Sequence, residues 1–250
     1  MLFRSWACGY CHRADGPGGP ENANLAGQPL AYLIQQMKDY QSGARGTSVP
    51  KRNVDIMISI AKATTAAEIE AAAAYFSAIK TKAVIKVIES ADVPKTFIIS
   101  NHFAAVPSGE REPIGNRIIE VPEDLDRFVH RDARSTFVAY APPGSIARGA
   151  ALVKGGDNGK TVPCTICHGA DLKGLGPVPG IAGRSPSYMA RQLYDFKAGV
   201  RAAYSANPGR RSPLRRSIIG MLAPRIMAVI ATAPTTFHQL PDRKSTRLNS

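Results

Sequence analysis

The chain has 250 residues, 44% of them hydrophobic and 20% charged, with a net charge of +13. That length suits two domains, and no stretch approaches the roughly 18 apolar residues of a membrane-crossing helix. The charge invites a nucleic-acid reading, but Arg210, Arg211, Arg215, Arg216, Arg225, Arg243, Lys244 and Arg247 stand against one acid, Asp242, in 206–250. That segment accounts for +7 and leaves +6 for the rest, a balance that argues against nucleic acid and suits a solvated face or docking to an acidic protein.

All four cysteines lie in two copies of one pattern, Cys8-Gly9-Tyr10-Cys11-His12 and Cys164-Thr165-Ile166-Cys167-His168. C-x-x-C-H is the attachment signature of covalent haem: two thiols bond the vinyl groups and the adjacent imidazole reaches the iron. A zinc knuckle or a dithiol redox centre also uses C-x-x-C. Two copies that consume every cysteine favour two covalent haem c groups.

In chain order, the first motif is followed by the Gly/Pro loop Gly16-Pro17-Gly18-Gly19-Pro20. Pro29 then stands where a helix begins, and Leu33, Met37 and Tyr40 share a face at helical spacing. Met57 follows in the segment 55–62. Thr65 with Glu68 forms a capping box for a helix over 69–80, whose inner face carries Ile69, Ala72, Ala73, Phe76 and Ile79. The stretches 84–89, 117–121 and 136–141 read as short strands within an ordered connector, 83–144. His102 and His130 in that connector read as packing or surface residues. A helix over 145–155 turns Ile146, Ala150 and Val153 inward, the second motif follows, and Ser185-Pro186 caps another helix carrying Tyr188, Gln192 and Phe196.

The second half repeats the first at an offset of 156 residues: Ala26-Gly27 matches Ala182-Gly183, Tyr32 matches Tyr188, Gln36 matches Gln192, Asp39 matches Asp195, Tyr40 matches Phe196, Gly43 matches Gly199 and Arg45 matches Arg201. A period this long means two homologous domains rather than a solenoid.

These residues resemble the class I c-type cytochromes of the dihaem, tandem-domain kind, over Cys8 to Lys80 and Gly149 to Arg201. The resemblance implies an all-α fold of two cytochrome c-like domains, here joined by a connector with extended segments. Its domains are 1–82, with a truncated N-terminal helix, the connector 83–144, and 145–241. It implies that Cys8, Cys11, His12 and Met57 serve haem one, with His12 and Met57 on the iron. Cys164, Cys167 and His168 serve haem two, with His168 on the iron. Met37 is the competitor of Met57. Pro179 is the expected acceptor for the second nitrogen of His168, with Ala23 at the same place in the first repeat. The resemblance further implies a periplasmic electron carrier, not an enzyme, that touches a membrane only peripherally or through a lost anchor. Its donors are a dehydrogenase or a quinol-oxidising complex, and its acceptors an oxidase or a reductase.

The repeat fails after Arg201. Its offset carries Met57 onto Pro213, so the second methionine is missing, and Met221 and Met227 are the substitutes the chain offers. An open iron there makes a dihaem peroxidase or a haem-based sensor the rival. Residues 206–241 look frame-disrupted, 242–250 resemble translated adapter sequence, and the export signal that covalent haem requires is expected before residue 1.

Overall fold

The computed structural model describes residues 7–49, 52–99, 102–159 and 161–201. Its first part is helical: α1 (Cys8–His12), α2 (Leu30–Ser42), α3 (Arg52–Ala63) and α4 (Ala66–Ala78). Helix α2 follows Pro29 and stops at Gly43, whose φ of 78° is left-handed, the usual glycine stop. The capping box of α4 forms as expected: the Thr65 amide donates to Glu68 Oε2 at 2.8 Å, and the Glu68 amide to Thr65 Oγ1 at 3.3 Å. Phe76 and Ala73 of α4 pack on Leu33 of α2. Met57, placed by the sequence only in the segment 55–62, sits inside α3; no Gly or Pro interrupts 52–63.

Among the described residues the connector holds seven short strands: β1 (Ile85–Glu89), β2 (Asp92–Pro94), β3 (Thr96–Ile99), β4 (His102–Ala105), β5 (Arg111–Pro113), β6 (Ile119–Pro122) and β7 (Phe137–Ala141). A short helix, α5 (Leu125–Val129), precedes β7. Strand β7 is central, parallel to β1 and antiparallel to β6, with Ile85 opposite Phe137 and Val121 opposite Val138. Two hairpin-like pairs, β2 with β5 and β3 with β4, complete it. The all-α expectation is therefore corrected: helices predominate, with small sheets between 85 and 141. The three expected strands are the three of the main sheet. Phe137 and Ala139 on one face are 1% exposed and Val138 on the other is 9% exposed, and such burial on both faces of a central strand reads in sequence as a near-continuous apolar run. The short pairs carry too little alternation to be read.

The second repeat contributes α6 (Ser145–Gly159), α7 (Cys164–His168) and α8 (Pro186–Ala198). Ser185 Oγ accepts from the Tyr188 amide, Pro186 opens the helix, and Gly199 ends it at φ 74°, so the Gly43/Gly199 match is a duplicated helix stop. Val153 is buried with Leu152, Leu172 and Met189, and Ile146, Ala150 and the connector residue Ile118 pack against them. Residues 202–250, with Met221, Met227 and the tail, lie outside the described residues.

Candidate haem sites

Each motif folds as a single helical turn that ends at its histidine. His12 is buried. Its Nδ1 donates to the Ala23 carbonyl at 2.8 Å, and His168 Nδ1 donates to the Pro179 carbonyl at 2.8 Å. A carbonyl only accepts, so each ring carries its proton on Nδ1 and leaves the Nε2 lone pair bare. Burial lowers the pKa of both imidazoles, which stay neutral. The acceptor is main chain, which is why Ala23 and Pro179 serve equally.

The loop that brings those carbonyls round depends on paired glycines. Gly18 and Gly174 have φ of +63° and +105°, and their amides donate to the His12 and His168 carbonyls at 3.1 and 2.9 Å. A Cβ on Gly18 would stand 2.4 Å from the Ala23 oxygen, and one on Gly174 2.7 Å from the Val178 oxygen. Only glycine satisfies both the left-handed backbone and the close approach.

Cys8, Cys11, His12 and Met57 all line one cavity of 970 Å³. Leu33, Ile69, Ala73 and Phe76 give it apolar walls, and Met37 reaches it as well. A bare imidazole nitrogen, a thioether and two thiols around an apolar chamber are the donor set that haem c takes, so these residues fit that group. They do not fit an activated dithiol: burial pushes the Cys8, Cys11 and Cys164 thiols up, whereas redox thiols are held down. Nor do three or more His, Cys, Asp or Glu side chains converge as a metal cage among the described residues.

Around the second motif, Cys164 is half-buried, Cys167 exposed and His168 half-buried. Pro213, onto which the repeat offset carries Met57, and the substitutes Met221 and Met227 lie outside the described residues.

The two repeats meet by exchanging matched residues. Arg45 donates to its own Gln36 Oε1 at 2.8 Å and, across the junction, to Tyr188 Oη and Gln192 Oε1 at 3.0 Å each. Arg201 returns the pattern: it donates to its own Gln192, to Tyr32 Oη at 2.9 Å and to Gln36 Oε1 at 3.0 Å. Each guanidinium also lies 4.5 Å from the aromatic ring of its own repeat, Tyr40 or Phe196. This is a pseudo-two-fold, self-complementary contact. Gln28 adds a two-way bond with Gly180, at 3.2 and 3.1 Å, and Arg184 donates to the Asn24 and Ala26 carbonyls. The sequence flagged Arg45, Arg201, Tyr32 and Gln36 as repeat matches. Their exchange across the junction had no signal beyond the repeat itself.

The connector also reaches the cavity, through His102, Ile98 and Glu120 among others. Sequence reasoning assigned His102 to packing, and it does pack: it is 5% exposed and stacks on Phe128 with centroids 3.8 Å apart. His130 is a surface residue, its Nδ1 donating to Asp126 O at 2.9 Å. Glu120, a residue no sequence signal picked out, accepts from Ser185 Oγ at 2.8 Å and the Ser187 amide at 3.2 Å.

No family model matches the chain. It is 24% identical to cytochrome c4 of Azotobacter vinelandii over 244 residues, covering 92% of this chain and 84% of that one. It is 27% identical over 201 residues to the thiosulfate dehydrogenase electron acceptor of Thiomonas intermedia, covering 78% and 65% respectively. In structure it is similar to cytochrome c4 of Acidithiobacillus ferrooxidans, with a TM-score of 0.55 at 23% identity, over 90% of this chain and 96% of that one. Two motif helices, each with an oriented neutral imidazole, on this fold make the chain similar to the dihaem c-type cytochromes, which carry electrons. Within that class its likeness is to cytochrome c4. Among the described residues no helix is long and apolar enough to cross a membrane.

Proposed function

We propose that the chain carries electrons singly between periplasmic redox proteins, through two covalently held haem c groups in two cytochrome c domains, 1–82 and 145–241, joined by the connector 83–144. The observation that carries this reading is the duplicated imidazole: His12 and His168 are presented by the same helix, turned by the same backbone bond and kept neutral by burial. Bound haem iron supplies one-electron exchange between its ferric and ferrous states. The chain does the rest. Cys8 and Cys11, and Cys164 and Cys167, would tether the two groups; His12 and His168 would each hold an iron; Met57 would hold the first iron as well, and a His/Met pair raises the potential. Leu33, Ile69 and Phe76 keep water from the first site.

The likeness to a thiosulfate dehydrogenase electron acceptor supports a dehydrogenase as donor, with an oxidase or reductase downstream. The relatives' names give the peroxidase and sensor readings no support. Two results test the proposal. The mature protein is expected to exceed its polypeptide mass by two haems and to give a pyridine haemochrome of the thioether type. Both haems are expected to be reduced by a mild donor and reoxidised without loss. A colourless protein of bare polypeptide mass overturns it.

A further inference from the structure

The two motifs are alike in their own turns and unlike in what holds them from outside. Three residues of the first motif region are gripped by the connector. The Tyr10 carbonyl accepts from Arg131 at 2.7 Å, and the same guanidinium lies 4.0 Å from the Tyr10 ring. Arg13, next to His12 and 4% exposed, donates to the Asp132 carbonyl and lies 5.7 and 5.6 Å from the rings of Phe128 and Phe137. Glu21, on the loop that carries Ala23, meets His102 Nδ1 at 3.3 Å. The offset of 156 turns these three into Ile166, Gly169 and Pro177. Ile166 has no aromatic ring to meet a guanidinium, Gly169 no guanidinium and Pro177 no carboxylate, and Ile166 is 63% exposed.

The backbone says that the difference is deliberate. Arg13 and Gly169 both close the motif helix in left-handed conformation, at φ 66° and 83°. The second repeat uses the residue suited to that geometry. The first keeps a strained arginine there, and Arg131 is likewise left-handed at φ 56°. Strain that persists at a site is held by its surroundings and is often part of function.

We infer that the connector is a clamp specific to the first haem site, with Arg13 and Arg131 as positioning residues that also raise the potential of haem one. This rests on the haem reading above. A ferrous site carries one positive charge less than a ferric one, so a fixed guanidinium beside it favours the reduced form. Two of the acids nearby are paired elsewhere, Asp132 with Arg134 at 2.7 Å and Asp15 with Lys82 at 3.2 Å; Glu21, whose partner His102 is held neutral by burial, offsets part of the charge of the two guanidinia. Among the described residues no guanidinium is recorded against Ile166 or Gly169.

The test is a spectroelectrochemical titration of the full two-haem chain. Arg13→Gln and Arg131→Gln are each expected to shift one midpoint potential downward and leave the other in place; Arg13→Lys, which keeps the charge, is expected to shift it less. The wave that moves is the one displaced by Met57→His. Arg13→Gly reproduces the second repeat and relieves the strained backbone, so it folds, and it is expected to lower the same wave. Two waves moving together, no wave moving, or Lys acting like Gln overturns the clamp. A protein with no haem by mass overturns the haem reading instead, so the two failures are distinct.

Discussion

His12 and His168 are each fixed by a bond to a main-chain oxygen, and that choice of acceptor has consequences one residue at a time. A backbone carbonyl is present whatever the side chain. Pro179→Ala is therefore expected to leave the spectrum and potential of haem two unchanged. Gly18→Ala is the opposite case: its Cβ would stand 2.4 Å from the Ala23 oxygen that holds His12. It is expected to reduce haem incorporation at the first site alone, read as a fall from two haems per chain toward one by mass spectrometry. Gly174→Ala is expected to do the same at the second site. These glycines stood in plain sight in the sequence as a Gly/Pro loop. What they do there needed the distance to the carbonyl.

The elements differ in how much of their stability is local. Helix α4 carries its own start signal, so Thr65→Ala is expected to cost about 1 kcal/mol. Phe76 is 5% exposed against Leu33, and Phe76→Ala is expected to cost roughly 3–5 kcal/mol through the cavity it leaves. Chemical denaturation of the haem-loaded protein measures both. Strand β6 behaves otherwise, because Glu120 joins it to the start of α8 while only 2% exposed. Desolvation raises its pKa above the ordinary 4.5, against the lowering pull of its hydrogen bonds to Ser185 and Ser187. A raised carboxyl favours the fold in its protonated form, so this contribution is complete below about pH 4.5 and lost as pH climbs through the folded-state value. Glu120→Gln does not ionise. Its unfolding free energy is expected to gain on that of the unaltered chain between pH 4.5 and 7, and denaturation at the two pH values checks the sign.

At the scale of the whole molecule, the repeats hold each other through Arg45 and Arg201, 6% and 9% exposed. Among the described residues their hydrogen bonds go to Tyr and Gln oxygens. Hydrogen bonds to a charged group contribute about 1.5–3 kcal/mol, so Arg45→Ala is expected to cost that order. Because both guanidinia share Gln36 and Gln192, the Arg45→Ala and Arg201→Ala losses are expected to be non-additive. A double-mutant cycle reads the coupling, and strict additivity would mean two independent contacts.

What the chain announced by itself was everything carried by local chemistry or by duplication. The C-x-x-C-H pairs need their residues at fixed spacing, the capping box and the Ser185-Pro186 start are short-range backbone chemistry, and a 156-residue offset is a matter of counting. Met57 is singled out by its place after the first motif and lines the cavity with His12, while the helix that carries it had no such signal. The pairs β2–β5 and β3–β4, the burial of His102 and Glu120, and the grip of Arg13 and Arg131 on the first motif were decided by tertiary structure alone. The contacts of His102, Glu120, Arg13 and Arg131 join residues 65 to 121 positions apart. A lone histidine, glutamate or arginine carries no mark of which distant backbone it will meet; only the packed fold, by bringing those surfaces together and excluding water between them, gives such residues their partners.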